Sequence, residues 1–245
     1  MNDHDAPLHI LFTGGWDSTF RIAQAVLEEG RIVQPHYLID EGRKSTLHEL
    51  QAIRRIRDCL DERVSAGRVL PVAYASRGDL RPDERVGEAH EALNRRMHVG
   101  RQYEWLTRFA RQRELRALEL CIERYPVGAE SELFRHLAAS VEGTGHACRL
   151  RPALGDGSLA VLFAPFRFPT LHLTKLDMGS RAREHGFFDL MQQTWFCHQP
   201  ILSHACGRCR PCTIAQQTCA RSISRVAPLK DLLWQIRRVI KGDRV

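Results

Sequence analysis

The chain has 245 residues, 43% apolar and 27% charged, the proportions of an ordinary globular protein long enough to bury a sizeable core. No apolar stretch approaches the ~18 residues a membrane span needs, and the opening M-N-D-H-D-A-P lacks the basic-then-apolar pattern of a secretory signal, so a cytoplasmic protein with no membrane partner is expected. The net charge of +7 comes from 32 arginines and only 4 lysines. It permits nucleic-acid binding without favouring it, because no aromatic-plus-basic stacking motif accompanies it, and anionic small molecules suit it equally.

Residues 9–12 read as a short apolar strand that runs into T-G-G-W-D-S-T at 13–19. Asp17 or Ser18 is placed to cap the next helix, whose apolar positions Phe20, Ile22, Ala23, Val26 and Leu27 recur at helical spacing until Gly30 stops it. A second strand over 32–39 ends at Asp40-Glu41-Gly42-Arg43. Thr46 and Glu49 have the spacing of a capping box for a helix with Leu47, Leu50, Ile53, Ile56 and Leu60 on one stripe. A third strand is expected over 69–74. Residues 77–97 are polar and charged, and read as a long active-site loop with one or two helical turns.

Further on come a helix over 102–114, a stretch over 117–122 that could extend it but that the β-α rhythm favours as a strand, a helix over 130–141 and a strand over 159–163. Pro165 and Pro169 break the chain before a helix over 175–185. This rhythm predicts an α/β fold, a doubly wound, mostly parallel five-stranded sheet, with ligands collecting at the carboxyl ends of its strands. The composition changes only near residue 190, where a Cys-rich part begins. The expected division is an α/β domain over 1–190 and a small Cys-rich, helical C-terminal part over 191–245.

Strand, glycine turn, helix is the arrangement that aims backbone N–H groups at an anion. Gly14 and Gly15 let the chain wrap an oxyanion closely, and the positive end of the following helix adds to the attraction. The hydroxyls of Thr13, Ser18 and Thr19 can donate further hydrogen bonds. The chain has no G-x-x-x-x-G-K-[ST], which excludes a Walker loop, and no G-x-G-x-x-G, which leaves a dinucleotide site without support.

Of the 8 cysteines, Cys197, Cys206, Cys209 and Cys212 are spaced C-x8-C-x2-C-x2-C. In a chain without a visible secretory signal, such clustering reads as a closed four-thiolate zinc site with a structural role. Gly207 allows the backbone turn between Cys206 and Cys209. His198 and His204 lie close enough in sequence to stand in for one thiol.

T-G-G-W-D-S resembles the S-G-G-x-D-S pyrophosphate loop of the N-type ATP pyrophosphatases, with Thr13 for the usual Ser. A loop of this type together with the C-terminal cysteines is similar to the 7-cyano-7-deazaguanine synthases in particular. Asp40-Glu41-Gly42-Arg43 falls where that family has D-Y-G-Q-R-H, His98-Val99-Gly100-Arg101-Gln102 where it has V-P-G-R-N, Thr174-Lys175 where it has D-K, and Thr194-Trp195-Phe196-Cys197 where it has T-x-S-C. The resemblance implies an ATP-dependent carbon–nitrogen ligase. It would adenylate the carboxylate of a 7-deazaguanine acid, with ammonia then giving the amide and a second activation the nitrile.

The same resemblance implies that Phe12, Thr13, Gly14, Gly15, Trp16, Asp17, Ser18, Thr19 and Asp40 bind the nucleotide. It makes Asp17, Ser18, Lys175 and Arg101 the catalytic group, with Lys175 and Arg101 as phosphate partners and Asp17 as a holder of Mg²⁺. It also implies ATP, Mg²⁺ and Zn²⁺ as cofactors, and a homodimer is compatible with the apolar segment 229–240. The chain departs from the family pattern at Val99 and Gln102, at Glu41 to Ser45, and at Arg124 to Ser131, where the family carries S-G-Y-x-D-C-R. The alternatives are a tRNA-thiolating enzyme of the same superfamily, a defence-associated relative that joins the activated deazapurine to another nucleophile, and a nucleotide sensor without turnover.

Overall fold

Strand β1 (Leu8–Leu11) buries Ile10 on one face and Leu11 on the other, as a central strand of a covered sheet must. In the computed structural model, which describes residues 6–125, 130–152 and 157–218, it pairs in parallel with β2 (Val33–Ile39) on one side and β4 (Leu118–Glu119) on the other. β3 (Ala73–Ser76) extends the sheet beyond β2, and a two-residue strand, β7 (Phe166–Arg167), extends it beyond β4. The order is β3-β2-β1-β4-β7, all parallel. After β3 the chain therefore crosses back to the far side of β1, and the strand order reverses between β1 and β4.

Side chains alternate between two apolar clusters. Ile10, Phe12 and Tyr37 join one cluster with helices α1 (Trp16–Ala23), α2 (Thr46–Asp61), α7 (Lys175–Glu184) and α8 (Phe188–Gln192). Leu11 and Leu38 join the other with α3 (Glu84–Asn94), α4 (Gln102–Gln112), α5 (Glu132–Ser140) and α6 (Ser158–Phe163). A short antiparallel pair, β5 (Val141–Glu142) with β6 (Arg149–Leu150), stands outside the main sheet. Helix α9 (Arg210–Thr218) follows the third cysteine of the cluster. Among the described residues no helix is long and apolar enough to cross a membrane.

Several local expectations change. The stretch 159–163, expected as a strand, makes up all but the first residue of helix α6: Leu159, Leu162 and Phe163 have helical spacing, and a short apolar run does not separate the two periods. The fifth strand comes just after it, where Leu118 and Leu120 donate to the carbonyls of Pro165 and Arg167. The loop expected over 77–97 contains an 11-residue helix, α3. Asp83 caps it by accepting from the Val86 N–H at 3.1 Å, and a sparse stripe of Val86, Ala89 and Leu93 is buried amid charged neighbours. β3 begins at Ala73 rather than Val69, because Pro71 has no N–H to give the ladder; Val69 keeps only an isolated bridge to Val33.

Two caps differ as well. Gly15, and neither Asp17 nor Ser18, is the N-cap of α1, so no side chain claims the first N–H groups of that helix. The Thr46–Glu49 capping box does not form: Ser45 is the N-cap, the Thr46 hydroxyl donates to the Arg43 carbonyl, and Glu49 turns inward. Leu47 is consequently off the buried stripe and 71% exposed. Gly30, with φ of +61°, does stop the first helix, after a wider turn over Gln24–Glu28. Residues 126–129, Cys219 and the segment 229–240 lie outside the described residues.

The two glycines of the turn have different reasons to be there. Gly14 has φ of +67°, and a Cβ on it would lie 3.0 Å from Ala52 Cβ and 3.1 Å from the Ile53 nitrogen, both in α2. Gly15 has an ordinary extended backbone, and an added Cβ would meet the Thr13 hydroxyl at 3.2 Å. Gly30 has a similar positive φ but open space around it. Gly30→Ala should therefore cost only the backbone term, about 1 kcal/mol, and Gly14→Ala about 1–3 kcal/mol more from overpacking against α2. Urea denaturation of the two variants checks this; equal losses would mean that α2 yields freely to the added methyl.

Candidate active site and metal centre

The glycine loop opens at the carboxyl end of β1, beside the point where the strand order reverses, and that is where open parallel sheets collect ligands. Two cavities meet there. One, of about 650 Å³, runs from Phe12, Thr13 and Ser18 past Leu38 to Gln102, Trp105 and Cys121. The other, of about 380 Å³, is walled by Trp16, Tyr125, Trp195 and Phe196. Thr13, Asp17, Arg43, Glu49, Tyr125 and His198 line both. A wider cleft of about 940 Å³ lies at the opposite, amino end of the sheet, around His9, Arg31, Arg116 and Arg167, and touches none of the loop residues.

In the wall of the smaller cavity the Lys175 ammonium sits between two carboxylates, 2.7 Å from Asp17 Oδ1, which lines the larger cavity as well, and 2.8 Å from Glu123 Oε2. Local sequence places each partner. Thr174 and Asp177 form a full capping box, with the Thr174 N–H donating to Asp177 and the Asp177 N–H to the Thr174 hydroxyl; this starts α7 at Lys175. Asp17 is in the first turn of α1. Glu123 follows β4, and the next residue is pinned where the Arg124 N–H donates to the Leu173 carbonyl at 2.8 Å.

Burial works against the charge of Lys175, but Asp17 and Glu123 outweigh it and hold the lysine well above its usual value. Burial and then the Asp17 charge push the Glu123 carboxyl up to about 7, against the pull of Lys175 and Arg210.

Glu49, buried at the start of α2, accepts from the Tyr37 hydroxyl at 2.9 Å and the Ser45 hydroxyl at 2.7 Å, and pairs with Arg43 Nε at 2.9 Å. That network aims Arg43 into both cavities, with its Nη nitrogens taking no partner among the described residues. Arg43, which lines both cavities, and Glu123, which lines the smaller, are charged site residues that sequence reasoning left out. A signal existed for each, since both follow the carboxyl end of a strand.

Of the residues expected at the nucleotide, Thr13 and Asp17 line both cavities, Phe12 and Ser18 the larger, Gly15 and Trp16 the smaller. Gly14 instead packs on α2. Thr19 is fully buried, its hydroxyl has no hydrogen-bond partner among the described residues, and it lines neither cavity. Asp40 accepts from Arg77 at 2.8 Å and from the Gly42 N–H at 3.3 Å, outside both cavities. Arg101 is exposed at the start of α4 and lines neither, whereas its neighbour Gln102 lines the larger.

The ligand atoms of Cys197, Cys206, Cys209 and Cys212 all lie within 4.8 Å of one another. Three pairs are 3.4, 3.8 and 3.9 Å apart. A tetrahedral ion with metal–sulfur bonds of about 2.3 Å spaces its sulfurs by about 3.8 Å, so the four thiols can hold a metal such as zinc. Gly207 takes φ of +71°, and the N–H groups of Arg208 and Cys209 donate to the Cys206 sulfur at 3.5 and 3.3 Å, which stabilises a thiolate there. Neither histidine joins the set: His198 lines the cavities, and His204 is exposed beside Ser203.

The centre is tied to the loop. The Trp195 N–H donates to the Gly14 carbonyl and its indole N–H to the Cys197 carbonyl, both at 2.8 Å, while the indole stacks on His48 at 4.5 Å.

No model of a known protein family matches the sequence, and no curated protein matches it. The chemistry of the site therefore rests on its own residues. Cys212→Ser should remove the single bound metal measured by elemental analysis of the purified protein, and lower the thermal midpoint by several degrees through loss of metal-linked folding energy. A wild-type preparation without metal, melting no lower than a metal-loaded one, would refute the centre.

Proposed function

We propose that the chain is an ATP-dependent ligase that adenylates the carboxylate of a 7-deazaguanine-type acid for reaction with ammonia. The observation that carries this reading is the Lys175 ammonium, fixed in the wall of the smaller cavity between Glu123 beyond β4 and Asp17 of the glycine loop, which lines both cavities. A carboxylate is a poor electrophile. Converting it to an acyl adenylate requires that charge developing on the phosphates be stabilised, which is the main task of such a site.

On this reading ATP takes the larger cavity. Its β- and γ-phosphates lie against the uncapped N–H groups at the start of α1, the Ser18 and Thr13 hydroxyls and Arg43, and extend past Asp17 toward the Lys175 ammonium in the wall of the smaller cavity. Mg²⁺, where bound, offsets phosphate charge, and Asp17 is the residue to hold it. The smaller cavity, walled by Trp16, Tyr125, Trp195 and Phe196, suits a flat heterocyclic acid whose carboxylate faces the loop. The sheet is doubly wound, and the four cysteines form a structural zinc centre that braces the smaller cavity from the C-terminal part.

A thiolating reading needs a reactive thiol outside the metal set. Cys121 lines the larger cavity, but burial first, then the charges of Glu119 and Asp17, push its thiol well up, which makes it a poor nucleophile.

Pyrophosphate release should depend on 7-carboxy-7-deazaguanine or a close analogue. Asp17→Ala and Ser18→Ala should each lower it by about 10²–10³-fold, the scale of losing one preorganised phosphate contact, with unchanged circular dichroism. Release that ignores the acid, or survives both substitutions, would overturn the reading.

A further inference from the structure

Three carboxylates line the smaller cavity: Asp17, Glu49 and Glu123. Glu49 is fully engaged by Tyr37, Ser45 and Arg43. Asp17 belongs to the phosphate loop and faces Lys175. Glu123 is buried, uses Oε2 on Lys175, and leaves Oε1 without a hydrogen bond among the described residues. It therefore presents one open acceptor to the cavity assigned to the acid substrate, next to the group that faces the phosphates.

We propose that Glu123 is a catalytic residue that accepts the proton released when the amine nitrogen attacks the acyl adenylate. This rests on the ligase reading above and names the step that reading leaves without a base. As the nitrogen attacks the carbonyl carbon, the C–N bond forms and the C–O bond to the phosphate breaks. AMP leaves with that electron pair. The nitrogen then carries one proton too many for a neutral amide, and Glu123 takes it, passing it later to water.

Lys175 cannot serve, because its two carboxylate neighbours hold it protonated. The charged and titratable groups facing Glu123 are Asp17 from α1, Lys175 from α7, Arg210 from α9 and Tyr125 on its own segment. Their balance with burial leaves the carboxyl poised near neutrality, which is where a general base works best.

The test separates the two half-reactions in the full-length, metal-loaded protein. Exchange of labelled pyrophosphate into ATP, driven by 7-carboxy-7-deazaguanine, reads adenylation. Mass spectrometry of the amide formed with ammonia reads the second step. Glu123→Gln should lower amide formation by about 10²–10⁴-fold, the usual contribution of a positioned base, and lower exchange by a much smaller factor through its loosened hold on Lys175. The ratio of wild-type to variant amide formation should rise between pH 6 and 8 and then level off, since only wild type gains a base there; ammonia's own ionisation cancels in that ratio.

Glu123→Asp, which keeps the carboxylate, should recover part of the second step. Equal loss of both steps in Glu123→Gln would make Glu123 a support for Lys175 and overturn the proposal, as would undiminished amide formation. Wild-type protein without acid-dependent exchange would instead overturn the ligase reading, and with it this role.

Discussion

A buried ammonium has to be paired, and Lys175 meets that demand by drawing α1, the end of β4 and the start of α7 to one point. A second buried cation repeats the arrangement one turn further along α1. Arg21, 1% exposed, holds Glu119 of β4 at 2.8 Å and Glu29 at 2.6 Å. Helix α1 is thus tied to β4 and its continuation twice, through Arg21 to Glu119 and through Asp17 and Lys175 to Glu123. Removing one partner of such a pair leaves an uncompensated charge, at a cost of about 3–5 kcal/mol. The start of α1 is therefore fixed beside the reversal in strand order, and the glycine loop with it.

The cysteine centre extends that constraint to the C-terminal part of the described chain. Trp195 is the link: its backbone N–H holds Gly14, its indole N–H holds the Cys197 carbonyl, and its ring stacks on His48 of α2. A metal that orders the four thiols also orders one wall of the smaller cavity, because Trp195, Phe196 and Arg210 all lie between or beside ligands in the chain. Structure far from the loop in sequence then sets the shape of the space next to it.

What was legible in the sequence was local. Helix α7, the Gly30 stop, the parallel alternation and the cysteine spacing each depend on residues a few positions apart. Misreadings arose where two local signals competed. Residues 159–163 are too few to separate a helical from a strand period. The stripe of Val86, Ala89 and Leu93 is hidden among charges that are merely the solvated side of α3. The Thr46–Glu49 spacing suited a capping box, but Tyr37, 12 residues back on another element, offered Glu49 a buried hydrogen bond that the cap could not match.

The sequence by itself determined that a glycine turn follows a first strand, that a helix begins near Lys175, and that four thiols are spaced for one ion, because spacing along the chain suffices for each. Only the tertiary structure decided that Gly14 is a glycine for packing against α2 while Thr13, Gly15 and Asp17 face the cavities. It alone gave Glu123 to Lys175, turned Arg43 inward through Glu49, and left Arg101 on the surface. Those outcomes depend on which charges burial forces into contact, and the partners in each case come from elements far apart in the chain.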